Sequence, residues 1–409
     1  RQVRNSVSSV VYPSPYSQVE LVAFSEGAAA LLELKESEFE RPDAAAILSG
    51  FLLHPQTTPF SHCYAGYQFG NWAGQLGDGR AISVMQVRTT ANEVWELQAK
   101  GAGKTPYSRS GDGRAVLRSS VREFLASEFM AAVGIPTTRA LSLTMTDSGV
   151  VRDQFYDGRP VREQGAVVMR MAPSWIRFGS FEIHSAWRDW GTLSNLVEYT
   201  IRNFFPVLHR ATVHAPVHDR YTAFYGHVVN LTARLVAQWQ AVGFVHGVLN
   251  TDNLSILGLT LDFGPFGFMG EYDPEWVPNT SDDTGRYKYQ AQPSICYENL
   301  DRLGTALSPL LDPKLKDVPP TGHPRPHSQA YRQPVRGHQR ANFISAPPPS
   351  GVNGFGQTLQ STYWVVYQEE HLQQFRKKLG LLTASTSDGA LVEELLRLMA
   401  KTKVDWSHF

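Results

Sequence analysis

The sequence predicts an α+β fold in two lobes, a β-rich N-terminal lobe with one principal helix and a mainly helical C-terminal lobe. Two apolar, β-rich runs, Ile82–Val87 and Val94–Lys100, flank a Thr-Thr-Ala-Asn stretch and predict a hairpin. Apolar residues then recur at helical spacing from Arg114 to Val133, where Gly134-Ile-Pro136 ends the pattern. Later in the chain the long apolar periods are helical, which predicts a helical interior for the second lobe.

Shorter signals predict the other elements of the N-terminal lobe. Tyr12–Tyr16 contains two prolines and predicts an extended lead-in, whereas Gly27–Lys35 predicts a short helix. A polar, glycine-containing loop is expected at Gly101–Gly113, and strands are expected at Ala140–Met145 and Ala166–Met171. The apolar face of the principal helix is predicted to consist of Leu117, Val121, Phe124, Leu125, Phe129 and Val133.

In the C-terminal lobe, helices are predicted near Leu193–Phe205 and Tyr221–Val242. The second places Phe224, Val228, Leu231, Leu235 and Trp239 on one face, and Gly243 follows it. Two short apolar runs, Leu254–Leu257 and Leu259–Phe263, predict a small hairpin. Helices at about Trp364–Leu379 and Ala390–Lys401 close the chain.

Length and composition predict a globular protein of several parts. The chain has 409 residues and 42% hydrophobic residues, enough to bury a sizeable core. It begins at Arg1 rather than Met, so a fragment or a processed form is expected. The predicted parts are a lead-in (1–60), the N-terminal lobe (61–185), the C-terminal lobe (186–311), a proline-rich insertion expected to be disordered (312–360) and two closing helices (361–409).

Charge and cysteine content exclude several classes of function. Lys plus Arg and Asp plus Glu both number 38, so no global field attracts nucleic acid or an anionic membrane. No apolar run approaches the roughly 20 residues that span a bilayer. The two cysteines, Cys63 and Cys296, are too few for a secreted disulfide framework and are expected to be ordinary thiols. Neither a nucleic-acid partner nor a membrane partner is predicted.

A glycine cluster precedes the first strand of the predicted hairpin, in Gly70-Asn-Trp-Ala-Gly74-Gln-Leu-Gly77-Asp-Gly79-Arg80. Glycines allow backbone N–H groups to approach phosphates, and Arg80 adds a cation. A glycine cluster before a strand is, however, more often a simple turn. The pattern matches neither a Walker A loop nor a dinucleotide fingerprint.

Lys100 ends the second predicted strand, and Glu123 lies on the helix that follows. In protein kinases, a strand lysine held by a helix glutamate positions the nucleotide phosphates. The alternative is an exposed lysine and a solvated glutamate. Two further cations, Arg170 and Arg177, lie between the lobes. Each is either a salt-bridge or surface arginine, or a partner of a polyphosphate. Asp112, with Gly113, precedes the principal helix and is expected to cap it.

The strongest motif is His246-Gly-Val-Leu-Asn-Thr-Asp252-Asn253, followed by Asp262-Phe-Gly. Mg²⁺ bound to a triphosphate takes hard oxygen ligands, and Asn253 and Asp262 are expected to supply one each from adjacent strand ends. Asp252 is left to orient or deprotonate an attacking hydroxyl. In protein kinases the base precedes the metal asparagine by about five positions, whereas here the two are adjacent. The motif therefore predicts metal–nucleotide chemistry on a protein-kinase-like scaffold with an altered substrate geometry.

The sequence closely resembles the selenoprotein O family of kinase-like protein adenylyltransferases, over about residues 50–310 and again after 360. The strings that carry the resemblance are Tyr67–Arg80, Glu96–Gly103, Arg118–Leu125, Ile176–Glu182 and His246–Asn253. The resemblance implies transfer of AMP from ATP to Ser, Thr or Tyr hydroxyls of proteins. It also implies an inverted ATP and release of pyrophosphate.

The resemblance also implies a role for each matching residue. Lys100 with Glu123, Arg170 and Arg177 hold phosphates, and Asp252 is the catalytic base. Asn253 and Asp262 bind Mg²⁺, with Mn²⁺ as an alternative ion, and Asp262 also belongs to the ATP site. The remaining residues expected to line the nucleotide site are Gly77, Gly79, Arg80, Asp112 and Gly113.

The sequence departs from the family pattern in three places. It ends before the segment with a C-terminal selenocysteine or cysteine, and Pro278 occupies the region where some members have a partner cysteine. The stretch 312–360 is also longer than the family's connection. The family implies a mitochondrial location for a eukaryotic member and a cytoplasmic one for a bacterial member. A phosphotransferase that uses the γ-phosphate, or a non-catalytic pseudokinase scaffold that binds nucleotide, remains an alternative function.

Overall fold

The fold combines one large antiparallel sheet with a set of helices, as the predicted α+β class requires. The computed structural model describes residues 6–154, 157–316, 354–406 and 409. The strands are β1 (Ser8–Val10), β2 (Val19–Phe24), β3 (Phe60–Gln68), β4 (Asn71–Gly77), β5 (Ala81–Arg88), β6 (Val94–Lys100), β7 (Ala115–Val116), β8 (Arg139–Arg152), β9 (Val161–Ala172), β10 (Phe244–Val245) and β11 (Gly267–Phe268). The helices are α1 (Glu26–Leu31), α2 (Ala44–Leu48), α3 (Leu117–Ala132), α4 (Phe178–Ala186), α5 (Trp190–Phe204), α6 (Pro206–Thr212), α7 (Val217–Ala241), α8 (Gln292–Leu307), α9 (Gly354–Leu379) and α10 (Asp388–Thr402).

The first nine strands form a single sheet with the order β1-β3-β5-β6-β9-β8-β2, to which β4 adds beside β3 and β7 beside β9. We call this part, up to residue 172, the sheet region. The predicted hairpin is confirmed as β5 and β6, with Ala81 opposite Lys100. The strands predicted near residues 140 and 166 are confirmed as β8 and β9, which are longer than predicted. The β6–β9 register places Gln98 opposite Arg170 and thereby brings two strands of the functional site together.

The principal helix is confirmed as α3, but the prediction of its buried face is partly wrong. Phe124 is buried as predicted, whereas Leu125, Phe129 and Val133 are 60%, 48% and 45% exposed. Met130, which the prediction left out, is fully buried. The apolar period misplaced the face because α3 also turns polar side chains, among them Glu123, toward the sheet.

The remainder of the described chain, from residue 173 onward, is the helical region. The helices predicted near residues 193 and 221 are confirmed as α5 and α7. On α7, the predicted face is buried at Phe224, Val228, Leu235 and Trp239, while Leu231 is partly buried. α7 packs along α9, and their apolar side chains belong to the main core of the helical region.

The hairpin predicted across residues 254–263 is wrong. The segment pairs instead with distant parts of the chain, because Phe178 N–H donates to the Leu254 carbonyl and Thr260 N–H donates to the Pro136 carbonyl. The two-stranded pair in this region is β10 with β11. A pattern confined to adjacent residues could not reveal these long-range partners. The consequence is that this segment of the helical region is held against the sheet region at Pro136.

The two closing helices are confirmed as α9 and α10, although α9 begins at Gly354 rather than at Trp364. The structure therefore places part of the predicted 312–360 insertion in a helix, and Pro313–Lys316 forms a short 3₁₀ turn. The rest of that predicted insertion, residues 317–353, lies outside the described residues. None of the helices that the structure describes is long and apolar enough to cross a membrane. The predicted division of the chain into five parts stays a prediction.

Candidate active site

A cleft of about 570 Å³ lies between the sheet region and the segment 248–265 of the helical region. Most of the predicted site residues line it, namely Gly79, Arg80, Lys100, Asp112, Gly113, Arg170, Arg177, Asn253 and Asp262. Three predicted residues do not line it. Gly77 and Glu123 lie behind the wall of the cleft, and Asp252 is buried beneath β3.

Asp262 is the meeting point of three cations. Its Oδ1 accepts from Lys100 Nζ at 3.2 Å and from Arg170 Nη1 at 2.6 Å, and its Oδ2 accepts from Arg177 Nη1. Burial would raise the pKa of Asp262, but Arg177, Lys100 and Arg170 together hold that pKa well below its usual range. Its backbone φ of 58° lies in the left-handed region, which costs free energy outside glycine and is typical of functional residues. The carboxylate is therefore ionised and held at a fixed place.

Glu123 holds two of these cations from behind. Its carboxylate lies 2.7 Å from Lys100 Nζ and 3.0 Å from Arg170 Nη1. Burial lowers the pKa of Lys100, and the charge of Glu123 opposes that effect. Because α3 places Glu123 against β6 and β9, the predicted lysine–glutamate pair is present, with Arg170 as a third member.

Arg170 and Arg177 are almost fully buried, with 2% and 1% of their surfaces exposed. Each guanidinium lies over an aromatic ring, Arg170 over Trp175 at 4.4 Å and Arg177 over Tyr64 at 4.7 Å. The Nε–H groups of both arginines are buried without an acceptor in the described parts of the chain. Aromatic rings and carboxylates thus hold both arginines in place. Each still has an N–H group that can donate to an anion.

Asp252 lies in a 3₁₀ turn, Thr251–Asn253, and is 7% exposed. Its Oδ2 accepts from Gln68 Nε2 at 3.3 Å, while its Oδ1 is buried without a hydrogen-bond partner among the described residues. Burial raises the pKa of Asp252 to about 6, although the nearby Arg177 opposes the shift. A carboxyl group with a pKa near neutrality is suited to accept a proton.

Close packing of β3 over this turn requires glycine at one position. A Cβ on Gly66 would lie 2.4 Å from Asp252 Oδ1. Tyr67 N–H also donates to Thr251 Oγ1 at 2.8 Å, and Thr251 Oγ1 donates to Glu182 Oε2 at 2.6 Å. Burial raises the pKa of Glu182 to about 8, so this carboxyl group is mostly protonated at neutral pH. The tip of the β3–β4 hairpin and helix α4 together fix the turn that carries Asp252.

Asn253 and Asp262 both offer oxygen atoms to the cleft. Asn253 Nδ2 donates to the Val248 carbonyl at 3.0 Å, so the amide is oriented, and no protein donor reaches its Oδ1 in the described chain. One amide oxygen and one carboxylate fit Mg²⁺ that also takes phosphate and water oxygens. No group of three or more His, Cys, Asp or Glu side chains suited to a metal is found among the residues that the structure describes. The expected placement at adjacent strand ends is wrong, because Asn253 ends a 3₁₀ turn and Asp262 lies in a loop.

The mouth of the cleft is formed by the loop that precedes α3. Asp112 accepts from Arg114 N–H at 2.9 Å and binds both terminal nitrogens of Arg152 at 2.7 Å. The predicted cap on α3 is therefore wrong, since the helix begins at Leu117 and its N-cap makes no side-chain bond. Gly113 has φ of 72° and lies against the backbone of Gly103, so a side chain does not fit there.

Of the two glycines just before Arg80, one lines the cleft and the other does not. Gly79 lines the cleft, whereas Gly77 packs on the Tyr107 ring, where a Cβ would lie 2.3 Å from a ring carbon. Arg80 itself is exposed at the cleft edge. The glycine cluster forms much of strand β4 and the turn into β5 rather than a loop alone.

Three side chains that complete the site were not predicted. Asp78, Gln98 and Arg152 contact the predicted arginines or the predicted Asp112. Gln98 could have been found, because positions 98 and 100 share one face of a strand. Asp78 stands between two glycines and has the local pattern of an ordinary turn residue.

Comparison with known proteins identifies close relatives. The family described as Protein adenylyltransferase SelO matches residues 2–409. The mitochondrial protein adenylyltransferase SelO-1 of Danio rerio is 44% identical over all of this chain and 56% of its own length. The mitochondrial protein adenylyltransferase SelO of Homo sapiens is also 44% identical, over 57% of its length. The protein nucleotidyltransferase YdiU of Aromatoleum aromaticum is 44% identical over 71% of its length. The chain thus spans little more than half the length of the two vertebrate relatives.

Proposed function

Because the chain belongs to the protein adenylyltransferase SelO family, we propose that it transfers AMP from ATP to Ser, Thr or Tyr hydroxyl groups of proteins and releases pyrophosphate. We further propose that the sheet region and the helical region correspond to the two lobes of a protein-kinase-like fold. The proposed partners are ATP and protein substrates, without nucleic acid or a membrane. A mitochondrial location is proposed if the source is eukaryotic, and a cytoplasmic one if it is bacterial.

One observation carries the proposal. Three cations converge on Asp262 in the cleft, namely Lys100, Arg170 and Arg177. The buried Asp252 lies beside the cleft and has a pKa of about 6. Three buried cations around one carboxylate form a site for a polyanion, because a triphosphate can take over the role of that carboxylate. In this proposal Lys100, Arg170 and Arg177 bind phosphates, and Glu123 holds the first two in place.

The proposed reaction is an in-line displacement at the α-phosphorus. The acceptor hydroxyl oxygen forms a bond to the α-phosphorus, and the bond from that phosphorus to the bridging oxygen of the β-phosphate breaks. The hydroxyl proton passes to the carboxylate of Asp252, and pyrophosphate leaves with its charge matched by the cations. A pKa of about 6 leaves most of Asp252 ionised at pH 7 and therefore able to accept the proton.

Asn253 and Asp262 are the proposed ligands of Mg²⁺ or, alternatively, Mn²⁺. A bound divalent ion would neutralise phosphate charge and help to align the triphosphate. The oxygens of Asp262 now accept from Lys100, Arg170 and Arg177, which compete with a metal ion for this carboxylate. The triphosphate provides those cations with new acceptors, so binding of the nucleotide and release of Asp262 are expected to be coupled.

The nucleoside is proposed to lie toward the mouth of the cleft. Gly79 and Gly113 provide close backbone approach there, and Arg80 and Asp112 provide charged groups. Gly77 supports this wall by packing on Tyr107 rather than by direct contact. Arg152 holds the Asp112 carboxylate at both oxygens.

A phosphotransferase that uses the γ-phosphate is the second candidate, because the Lys100–Glu123 pair and Asp262-Phe-Gly are arranged as protein kinases require. Parallel incubations with α-³²P-ATP and γ-³²P-ATP separate the two. AMP transfer leaves label on the protein from α-labelled ATP only. Phosphoryl transfer leaves label from γ-labelled ATP only, which would defeat the first proposal. Intact-mass measurement of an acceptor protein provides an independent readout of the group that was added.

A further inference from the structure

Asp78 is a buried carboxylate in the turn between β4 and β5, and it lines the same cleft as the phosphate-binding cations. It is 3% exposed. Burying a carboxylate is costly unless hydrogen bonds and opposite charges compensate, so such a residue has a fixed set of partners. Those partners indicate what it does.

All of the side-chain contacts of Asp78 come from donors. Its Oδ1 accepts from Tyr64 Oη at 3.3 Å and from Arg177 Nη2 at 3.5 Å. Its Oδ2 accepts from Gln98 Nε2 at 3.0 Å and from His62 N–H at 3.2 Å. Because donors approach both oxygens, an amide in the same position would direct its NH₂ group at another donor.

Gln98 extends the influence of Asp78 to the second arginine. The amide nitrogen of Gln98 donates to Asp78, while its Oε1 accepts from Arg170 Nη2. The orientation of this amide is set by its neighbours, because the reverse orientation would place NH₂ against the guanidinium. Asp78 therefore contacts Arg177 directly and Arg170 through one amide.

The contacts of Asp78 and Gln98 with the two arginines matter most when the nucleotide is bound. If Asp262 turns to a metal, as the proposed function requires, Arg177 keeps Asp78 as its other carboxylate partner among the described residues. Arg170 keeps Glu123 and Gln98. We propose that Asp78 is a positioning residue that, directly and through Gln98, keeps Arg177 and Arg170 directed at the triphosphate. The inference rests on the proposed phosphate-binding role of the two arginines.

The test is a set of calorimetric binding measurements with Mg·ATP, inorganic tripolyphosphate and adenosine as separate probes. Asp78→Asn is expected to weaken Mg·ATP and tripolyphosphate by about ten-fold or more, the loss typical of one charge-assisted hydrogen bond. Adenosine affinity is expected to stay within about two-fold, because the nucleoside does not contact either arginine in the proposed site. A purely structural role would weaken all three probes alike.

Glu96→Gln is the matched control. Glu96 is a buried carboxylate on β6 that accepts from His62 Nε2 at 3.1 Å. In the part of the chain that the structure describes, its side chain makes no hydrogen bond or ion pair with Arg170 or Arg177. It should leave tripolyphosphate affinity unchanged. Equal losses in both variants, or wild-type tripolyphosphate affinity in Asp78→Asn, would overturn the inference.

Gln98→Met decides the question if Asp78→Asn does not fold. It removes the contact to Arg170 but leaves Asp78 in place, so a several-fold loss of tripolyphosphate affinity is expected and an unchanged affinity overturns the inference. Because binding is measured without turnover, the outcome is separate from the proposed activity. The wild type could bind Mg·ATP yet transfer no AMP. If the variants then lose tripolyphosphate affinity but keep adenosine affinity, the result supports the inference and contradicts the proposed activity. A wild type that binds neither Mg·ATP nor tripolyphosphate overturns both.

Discussion

Asp252 is an ionisable side chain that the fold buries almost completely, and this burial determines when it can act as a base. Its pKa of about 6 lies above the usual aspartate value of 3.8. The folded state therefore holds the proton more tightly than the unfolded state does. The resulting contribution to stability is fully present below pH 3.8 and is lost as the pH rises through 6.

Asp252→Asn is expected to separate activity from stability. AMP transfer should fall by about 10²-fold or more, the usual contribution of a general base, while Mg·ATP affinity changes little. At pH 7.5 the variant should be as stable as the wild type or more stable, by up to about 3 kcal/mol, because no buried carboxylate has to ionise. Radiolabel transfer and denaturant unfolding, each measured from pH 5 to 8, check both expectations.

The pH profile supplies the control for that variant. Wild-type transfer should increase as the pH rises through about 6, because Asp252 loses its proton there. The residual transfer of Asp252→Asn should lack this step. A variant that retains wild-type transfer, or the same step near pH 6, would remove Asp252 from the role of base.

Among single residues, the sequence predicted those whose type and order are typical of a metal–triphosphate site. Lys100, Glu123 and Asp262 were found because their residue types and order match the needs of a metal–triphosphate site, and the structure brings them together. Asp78 and Gln98 were not found. Asp78 lies in a turn without a distinctive local pattern. Gln98 had one local signal, the strand face that it shares with Lys100, but its place opposite Arg170 comes from the β6–β9 register.

At the scale of elements, α3 shows how a functional residue changes the interpretation of a helix. Apolar spacing alone predicted that Leu125 and Phe129 face the core, yet both are exposed. The inward face includes Glu123, which holds Lys100, and Met130, which packs in the core of the helical region. A helix that supplies a site residue to the sheet cannot present an entirely apolar face there.

Two substitutions in α3 test the corrected face. Met130→Ala should lower the free energy of unfolding by about 2–5 kcal/mol, because it leaves a cavity at a fully buried position. Leu125→Ala removes the same number of non-hydrogen atoms from an exposed position. It should change the free energy of unfolding by no more than about 0.5 kcal/mol. Chemical denaturation of the two variants gives the comparison. A Leu125→Ala cost equal to that of Met130→Ala would restore the face that the apolar period predicted.

At the scale of the whole molecule, Asp262 links the two regions electrostatically. It belongs to the helical region, whereas Lys100 and Arg170 belong to strands of the sheet region. The backbone bonds from Thr260 N–H to the Pro136 carbonyl and from Thr138 N–H to the Thr260 carbonyl hold the same boundary. The predicted hairpin over residues 254–263 was wrong because backbone groups of this segment bond to distant residues instead of pairing with each other.

This link predicts how nucleotide and metal act on global stability. Without ligands, Asp262→Asn should lower the free energy of unfolding by about 3 kcal/mol, since buried cations lose their shared counter-charge. ATP in the presence of EDTA should still raise the melting temperature of the variant, because Lys100, Arg170 and Arg177 remain available to bind its phosphates. Adding Mg²⁺ should stabilise the ATP-bound wild type further but not the variant, because a proposed metal ligand is gone. For scale, a ligand at one hundred times its Kd stabilises a protein by about 2.7 kcal/mol.

Thermal unfolding with ATP plus EDTA and with Mg·ATP measures both effects in one experiment. Asp219→Asn is the control, because Asp219 is an exposed carboxylate on α7, far in sequence from the metal motif, and its loss should change neither effect. If Mg²⁺ raised the melting temperature of ATP-bound Asp262→Asn as much as that of the wild type, Asp262 would not be a metal ligand. If the variant without ligands were as stable as the wild type, the three cations would not depend on Asp262, and the proposed exchange between this carboxylate and the triphosphate would fail.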